Sequence, residues 1–188
     1  MIPQVTLPFL FALSPALHPD PETALERRLR RAILRREPVS LGTAATPYEP
    51  AAGRNASALG VLLKEEGLEV SITTATPRVL REIDLLVDLD RRHSVAVRMV
   101  VPAGESPESR MQAVRVLAAE GIATSVVLTP EQDEESLRCL LEAAWEAGAW
   151  DVEIEAGSLK RSERASLLAS FRRLRLEHGF PRGVPGRG

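Results

Sequence analysis

Three segments of this chain end in a glycine that is followed at once by an apolar, β-branched run. They are Glu65-Glu66-Gly67 before LEVSITT, Ala119-Glu120-Gly121 before IATSVVLT, and Glu146-Ala147-Gly148 before AWDVEIEA. A glycine just past a helix end takes up the left-handed backbone conformation without a Cβ clash, so each recurrence reads as a helix stop joined to a strand start. Strand starts near Val39, Leu68, Ser94, Ile122 and Ala149 lie about 26 to 29 residues apart. That is the length of a strand plus its crossover helix. With VTLPFLFA as the first strand, the chain holds six strand–helix units.

The segments between the strands carry apolar residues at three-and-four spacing, the stripe of a core-facing helix. Examples are Leu25, Leu29, Ala32 and Ile33; Leu59, Leu62 and Leu63; Val79, Leu80, Ile83, Leu86 and Val87; Met111, Val114, Leu117 and Ala118; and Leu137, Leu140, Leu141 and Ala144. Asp20 before Pro21 and Ser106 before Pro107 are read as helix caps. The strands are nearly continuous apolar runs, as a parallel sheet covered on both faces requires. The expected fold is α/β: a partial (β/α)6 TIM-like barrel, with a flat doubly wound sheet as the alternative. Residues 1–180 form one domain in this reading and 181–188 a flexible tail. In either architecture the chemistry belongs beyond the carboxyl ends of the strands.

Net charge is −2, so no global basic field draws the chain toward nucleic acid. Arginines do crowd two helical segments, Arg27, Arg28, Arg30, Arg31, Arg35 and Arg36 in the first, and Arg161, Arg164, Arg172, Arg173 and Arg175 beside Lys160 in the last. Glutamates are interleaved and aromatic stacking residues are scarce, which reads as solvated helix surface. The apolar amino-terminal run lacks a basic flank, is broken by Pro3, Pro8 and Pro15, and is too short to span a bilayer. The single cysteine, Cys139, cannot form an internal disulfide or a multi-thiolate metal site. A cytoplasmic location is therefore expected, with no membrane partner and no metal. His18, His93 and His178 match no ligand spacing and read as surface or loop residues. Cys139 falls opposite the apolar stripe of its helix among Glu135, Glu142 and Glu146, a setting that disfavours a thiolate.

Two strand tips stand out. LGTAATPYEPAAGR offers Tyr48 and Glu49 on a proline-rich loop, either to a pocket or with Tyr48 closing the mouth of the fold. SITTATPRVLREIDLL places Thr73 and Thr74 at a strand end, with Thr76 suited to capping the following helix.

These same words carry a family resemblance. LGTAATPYEP resembles the G-T-x-T-D-P-Y-x-P loop of radical S-adenosylmethionine enzymes of the spore photoproduct lyase-like, DNA-repair photolyase-like subgroup. SITTATPRVLREIDLL is similar to the subgroup's T-K-S-x-x-x-x-R-D-x-D-L-L stretch, and ESPESRMQAVRVLAAEGI to its P-S-P-x-x-R-L-x-A-I helix and A-G-I strand entry. The family holds a 4Fe–4S cluster on C-x-x-x-C-x-x-C near the amino terminus. Here PQVTLPFLFA puts Pro3, Leu7 and Leu10 at those places, and none of them has a donor atom. The family Asp of T-D-P-Y is Thr46, the Lys of T-K-S is Ala75, and the Asp after the matching Arg is Glu82. The E-P word ahead of the P-S-P helix and the P-G-x-N-D word after the fifth strand are both missing.

The resemblance thus implies the fold without its cluster chemistry, since reductive cleavage of S-adenosylmethionine needs that cluster. The expected function is a non-catalytic binding or regulatory module, a pseudoenzyme with no catalytic residue and no resident cofactor. One alternative is a repurposed enzyme that takes S-adenosylmethionine or a nucleotide at the barrel mouth. Its pocket candidates are Thr43, Thr46, Tyr48, Glu49, Thr73, Thr74, Arg98 and Glu105. The other alternative is a nucleic-acid-associated protein using the two arginine-rich helices. The open edge of an incomplete barrel points to a protein partner or a second copy.

Overall fold

The structure, a computed structural model, describes residues 5–7, 21–44, 47–50, 59–129, 134–155 and 161–178. Six strands form one all-parallel sheet: β1 (Val5–Leu7), β2 (Val39–Leu41), β3 (Glu69–Thr74), β4 (Ser94–Val101), β5 (Ala123–Leu128) and β6 (Asp151–Ile154). They are joined through α1 (Pro21–Arg35), a helical segment at 59–62, α2 (Ile83–Arg92), α3 (Glu108–Ala119), α4 (Glu134–Glu146) and α5 (Arg161–His178).

Spatial order equals sequence order, β1-β2-β3-β4-β5-β6, and the described sheet is open, with β1 and β6 at its edges. This corrects the doubly wound alternative, which needs a reversal of strand order at a switch point. A parallel sheet that always advances in one direction through right-handed crossovers carries its helices on one side.

The register sorts the strand residues into two faces. Val70, Val95, Ile72, Val97, Val126, Val152 and Ile154 enter one buried cluster together with Leu86, Leu89, Val114, Leu117, Leu137, Leu141 and Phe171 of the helices. The opposite face carries Ser40, Ser71, Thr73, Ala96, Arg98, Ser125, Asp151 and Glu153. Burial there changes along the strands. In β3, β4 and β5 the last three residues are buried on both faces, whereas earlier residues alternate between buried and half-buried or, at Glu69, exposed.

Two of the three glycine stops behave as the sequence predicts, whereas Gly67 does not end a helix: the helical segment before it stops at 62, and the Gly67 N–H donates to the Arg92 carbonyl. Gly67, Gly121 and Gly148 have φ of 77°, 83° and 90°. Behind Gly121, its N–H donates to the Ala118 carbonyl and the Ile122 N–H to Leu117; Gly148 and Ala149 repeat this onto Trp145 and Ala144. This double bond pattern satisfies carbonyls that the helix end leaves without partners. Arg36, at φ 51°, makes the same pair of bonds after α1 without being a glycine.

Three local expectations are corrected. Ser106 does not cap α3: Pro107 occupies the N-cap position without a side-chain cap bond, and the Ser106 carbonyl accepts from Arg110 instead. The third predicted helix is split, with a 3-10 turn over Pro77–Glu82 preceding α2. His93 is buried rather than a surface residue. Its Nδ1 accepts the Leu68 N–H at 3.2 Å and its Nε2 lies 2.8 Å from the Leu62 carbonyl. The ring therefore carries its proton on Nε2 and satisfies two backbone groups beneath β3 and β4. Asp20, His18 and the tail from 179 lie outside the described residues, as do Pro3 and Leu10. Leu7 ends β1, in register with Leu41.

Candidate functional site

The carboxyl rim of the sheet is built around Gly42. Its φ is +79°, and a Cβ on it would stand 2.5 Å from both the Thr73 carbonyl oxygen and the Tyr48 nitrogen. Only glycine lets the chain turn here closely enough for the Tyr48 N–H to donate to that carbonyl at 2.6 Å. The return bond comes from Thr74, whose Oγ1 donates to the Tyr48 carbonyl at 2.7 Å and accepts the Thr76 N–H at 3.2 Å. Thr76 caps the next turn, accepting the Arg78 N–H, as its position before Pro77 predicts.

The Tyr48 ring is fully buried, and its hydroxyl donates to Glu82 Oε2 at 2.6 Å. Burial, followed by the hydrogen bond to Glu82 and that carboxylate's charge, pushes the phenol far above its ordinary range. The group is a fixed neutral donor and does not supply a phenolate base. Tyr48 thus takes the role of closing the rim.

Arg110 joins the next loop to the same rim. Its Nε donates to the Ala75 carbonyl at 2.7 Å, and its other nitrogens reach the Ser106 carbonyl and the Glu105 carboxylate. Farther along, Thr129 Oγ1 accepts the Ala103 N–H at 2.9 Å. The predicted candidates therefore separate. Tyr48, Thr73 and Thr74 come together, whereas Glu105 sits in the Arg110 clasp. Thr43 is half-buried and Glu49 exposed on the loop after β2, and Thr46 lies outside the described residues.

Arg98 belongs to a different setting, below the rim on the face opposite the helices. It is in register with Thr73 on one side and Ser125 on the other, with Asp151 beyond Ser125. The guanidinium reaches diagonally across β5 to Glu153, with Nε 3.1 Å from Oε1 and Nη2 2.5 Å from Oε2. Its remaining nitrogen is 3.4 Å from the buried Thr73 hydroxyl. The two side chains keep 32 % and 46 % of their exposure. A pair this open contributes only about 0–1 kcal/mol to stability. Sequence reasoning selected Arg98 but missed Glu153, Glu82 and Arg110. A legible signal for Glu153 was its alternate position in the apolar strand DVEI, a charge aimed at the same face as Arg98.

Among the described residues, α5 packs on α4 and β6. Cys139 is exposed on α4 and lines, with Glu105, Glu135 and Leu140, a cleft beside the loop after β4. No described helix is long and apolar enough to cross a membrane.

The donor set does not fit a 4Fe–4S cluster. Cluster iron requires several thiolates, and the chain's one cysteine is this exposed Cys139 on α4, away from the amino-terminal strand.

No family model matches the chain, and no solved structure matches it. The chain is similar to uncharacterized proteins of Mycobacterium tuberculosis and Mycobacterium bovis, each 28 % identical over 159 residues. The match covers 74 % of this chain and 47 % of each relative. The chain thus spans about half the length of the curated relatives it matches.

Proposed function

We propose that this chain is a cluster-free binding module of radical S-adenosylmethionine-like ancestry. In this reading it is a partial (β/α)6 barrel that takes its ligand on the sheet face opposite the helices. The ancestry rests on the three motif-like segments and their order along the chain. The unreversed strand order supports the partial barrel over a doubly wound sheet, because a barrel is what such a sheet becomes when it curls and closes. The absent donors at Pro3, Leu7 and Leu10 argue against radical chemistry in this chain.

One observation carries the choice of face. Parallel sheets are ordinarily covered on both sides, yet here Ser71, Arg98 and Ser125 are only half-buried and Glu153 is exposed. The rim hydroxyls, by contrast, are held in bonds within the chain. A polar, half-covered patch beneath a closed rim suits a bound molecule better than it suits bare solvent.

The test is a titration of the protein with S-adenosylmethionine, nucleotides and phosphate, followed by backbone amide shifts. The expected perturbations fall on Ser71, Thr73, Arg98 and Ser125. Perturbations confined to α1 and α5 or to the Cys139 cleft would overturn the assignment.

A further inference from the structure

We propose that Arg98 is an oxyanion receptor whose resting partner, Glu153, is exchanged for a carboxylate or phosphate group of the ligand. This deepens the reading of the sheet face as the binding surface and rests on it.

Four features carry the inference. A guanidinium presents a planar fork that matches carboxylate and phosphate alike, and Glu153 already occupies that fork through both its oxygens. The carboxylate is a built-in stand-in for the ligand's oxyanion. Exchange is also accessible, because neither side chain is buried. The replaced anion therefore leaves into water and the incoming one arrives from it. The two partners are unequally held. Arg98 lies inside β4, paired on both sides, whereas Glu153 lies on the four-residue strand β6, which among the described residues is an edge paired through β5 alone. The receptor stays in place and the stand-in moves. Finally, Thr73 is fully buried with its hydroxyl toward the guanidinium, and Ser125 lies beside Arg98 in register. The Thr73 hydroxyl accepts from the guanidinium and helps to fix its orientation, and Ser125 is the neighbouring hydroxyl residue on the same face.

Asp151, in register with Ser125, sets the charge limit. With Glu153 it opposes highly charged ligands, so the geometry favours a carboxylate or a singly charged phosphate over a polyphosphate.

The experiment follows the Ser71 and Ser125 amides in every variant, and the Arg98 Nε–H resonance wherever Arg98 is present, while inorganic phosphate, and separately acetate, is added to the full chain. Wild type, Glu153→Gln, Asp151→Asn, Arg98→Lys and Arg98→Gln are compared, with amide dispersion reporting that each is folded. Glu153→Gln should bind phosphate about tenfold more tightly than wild type, because a competing charge is removed. Asp151→Asn should gain less, since it does not hold the fork. Arg98→Lys, which keeps the charge and loses the fork, should weaken binding, and Arg98→Gln should abolish it. A response to phosphate alone assigns a phosphate-bearing ligand, and a response to both probes a carboxylate or phosphate receptor. An Arg98 resonance that stays still in wild type and in Glu153→Gln overturns the exchange. If S-adenosylmethionine or a nucleotide shifts the Ser71 and Ser125 amides equally in wild type and Arg98→Gln, the exchange fails while the face remains the binding surface.

Discussion

At the carboxyl ends of β3, β4 and β5 the polar groups face other polar groups of the chain, whereas one step below the rim they face partly into solvent. Tyr48, Thr74, Thr76 and Arg110 each hold a named backbone or side-chain partner at the rim. Arg98 and Glu153, on the open face, hold each other with 32 % and 46 % of their exposure left. The contrast assigns different work to residues that look alike in the sequence. Rim hydroxyls set the shape of the strand ends, because a buried hydroxyl without its partner costs about 1–3 kcal/mol. The face pair can separate at little cost, so ligand chemistry belongs there.

The sharpest way to break this comparison is Gly42→Ala. The added Cβ meets backbone atoms on two sides and the φ is left-handed, so no flexible side chain can yield. The loop after β2 must withdraw from Thr73, with an expected loss of about 3 kcal/mol in urea unfolding. A loss under about 0.5 kcal/mol would mean that the rim is not clamped at all.

Next in size is Tyr48→Phe, which deletes the hydroxyl and leaves Glu82 without its donor. About 2 kcal/mol is expected, and the effect should depend on pH. The folded phenol ionises above its unfolded value of about 10, so its contribution is complete below that pH. It is lost as the pH rises beyond 10, where only the unfolded chain releases the proton. The stability gap between wild type and Tyr48→Phe should accordingly be flat from neutral pH to about 10 and narrow above it. A gap that widens with alkali would show that the phenol is ionised in the fold.

Arg110→Lys comes third. Lysine retains the charge opposite Glu105 but cannot serve the Ala75 and Ser106 carbonyls together through a planar fork. About 1 kcal/mol should be lost, with amide exchange accelerated at Ala75 and Ser106 and unchanged at Ser71 and Ser125. Faster exchange spread over the whole sheet would erase the distinction between rim and face.

Much of this architecture could be read from the residues, because it depends on local signals. The glycines at 121 and 148 mark helix ends through a backbone requirement that no other residue meets as readily. The apolar stripes of α2, α3 and α4 fall on the core as their spacing predicts. Capping by Thr76 was legible for the same reason, since donor and acceptor are two residues apart. The site was less legible because its bonds are long-range. Tyr48 reaches Glu82 across 34 residues and Arg98 reaches Glu153 across 55. No periodicity reports such a pairing; it exists only once the register of β4, β5 and β6 is set. His93 misled for a related reason. Its partners are backbone groups, which leave no complementary side chain in the sequence to point to it.

The smallest expected effect tests the open face itself. In a double-mutant cycle of Arg98→Gln and Glu153→Gln, the coupling should be below about 1 kcal/mol, because both side chains keep contact with water and each alternative is a solvated ion. Raising the salt to about 0.5 M should reduce it further, since the screening length falls below about 5 Å. The Thr74 bond to the Tyr48 carbonyl is buried and the Tyr48 bond to Glu82 partly so, and both should keep most of their effect under the same conditions. A coupling of about 3 kcal/mol that ignores salt would mean a desolvated ion pair. Arg98 would then be a structural staple like Arg110, and the rim and the face would be one closed surface.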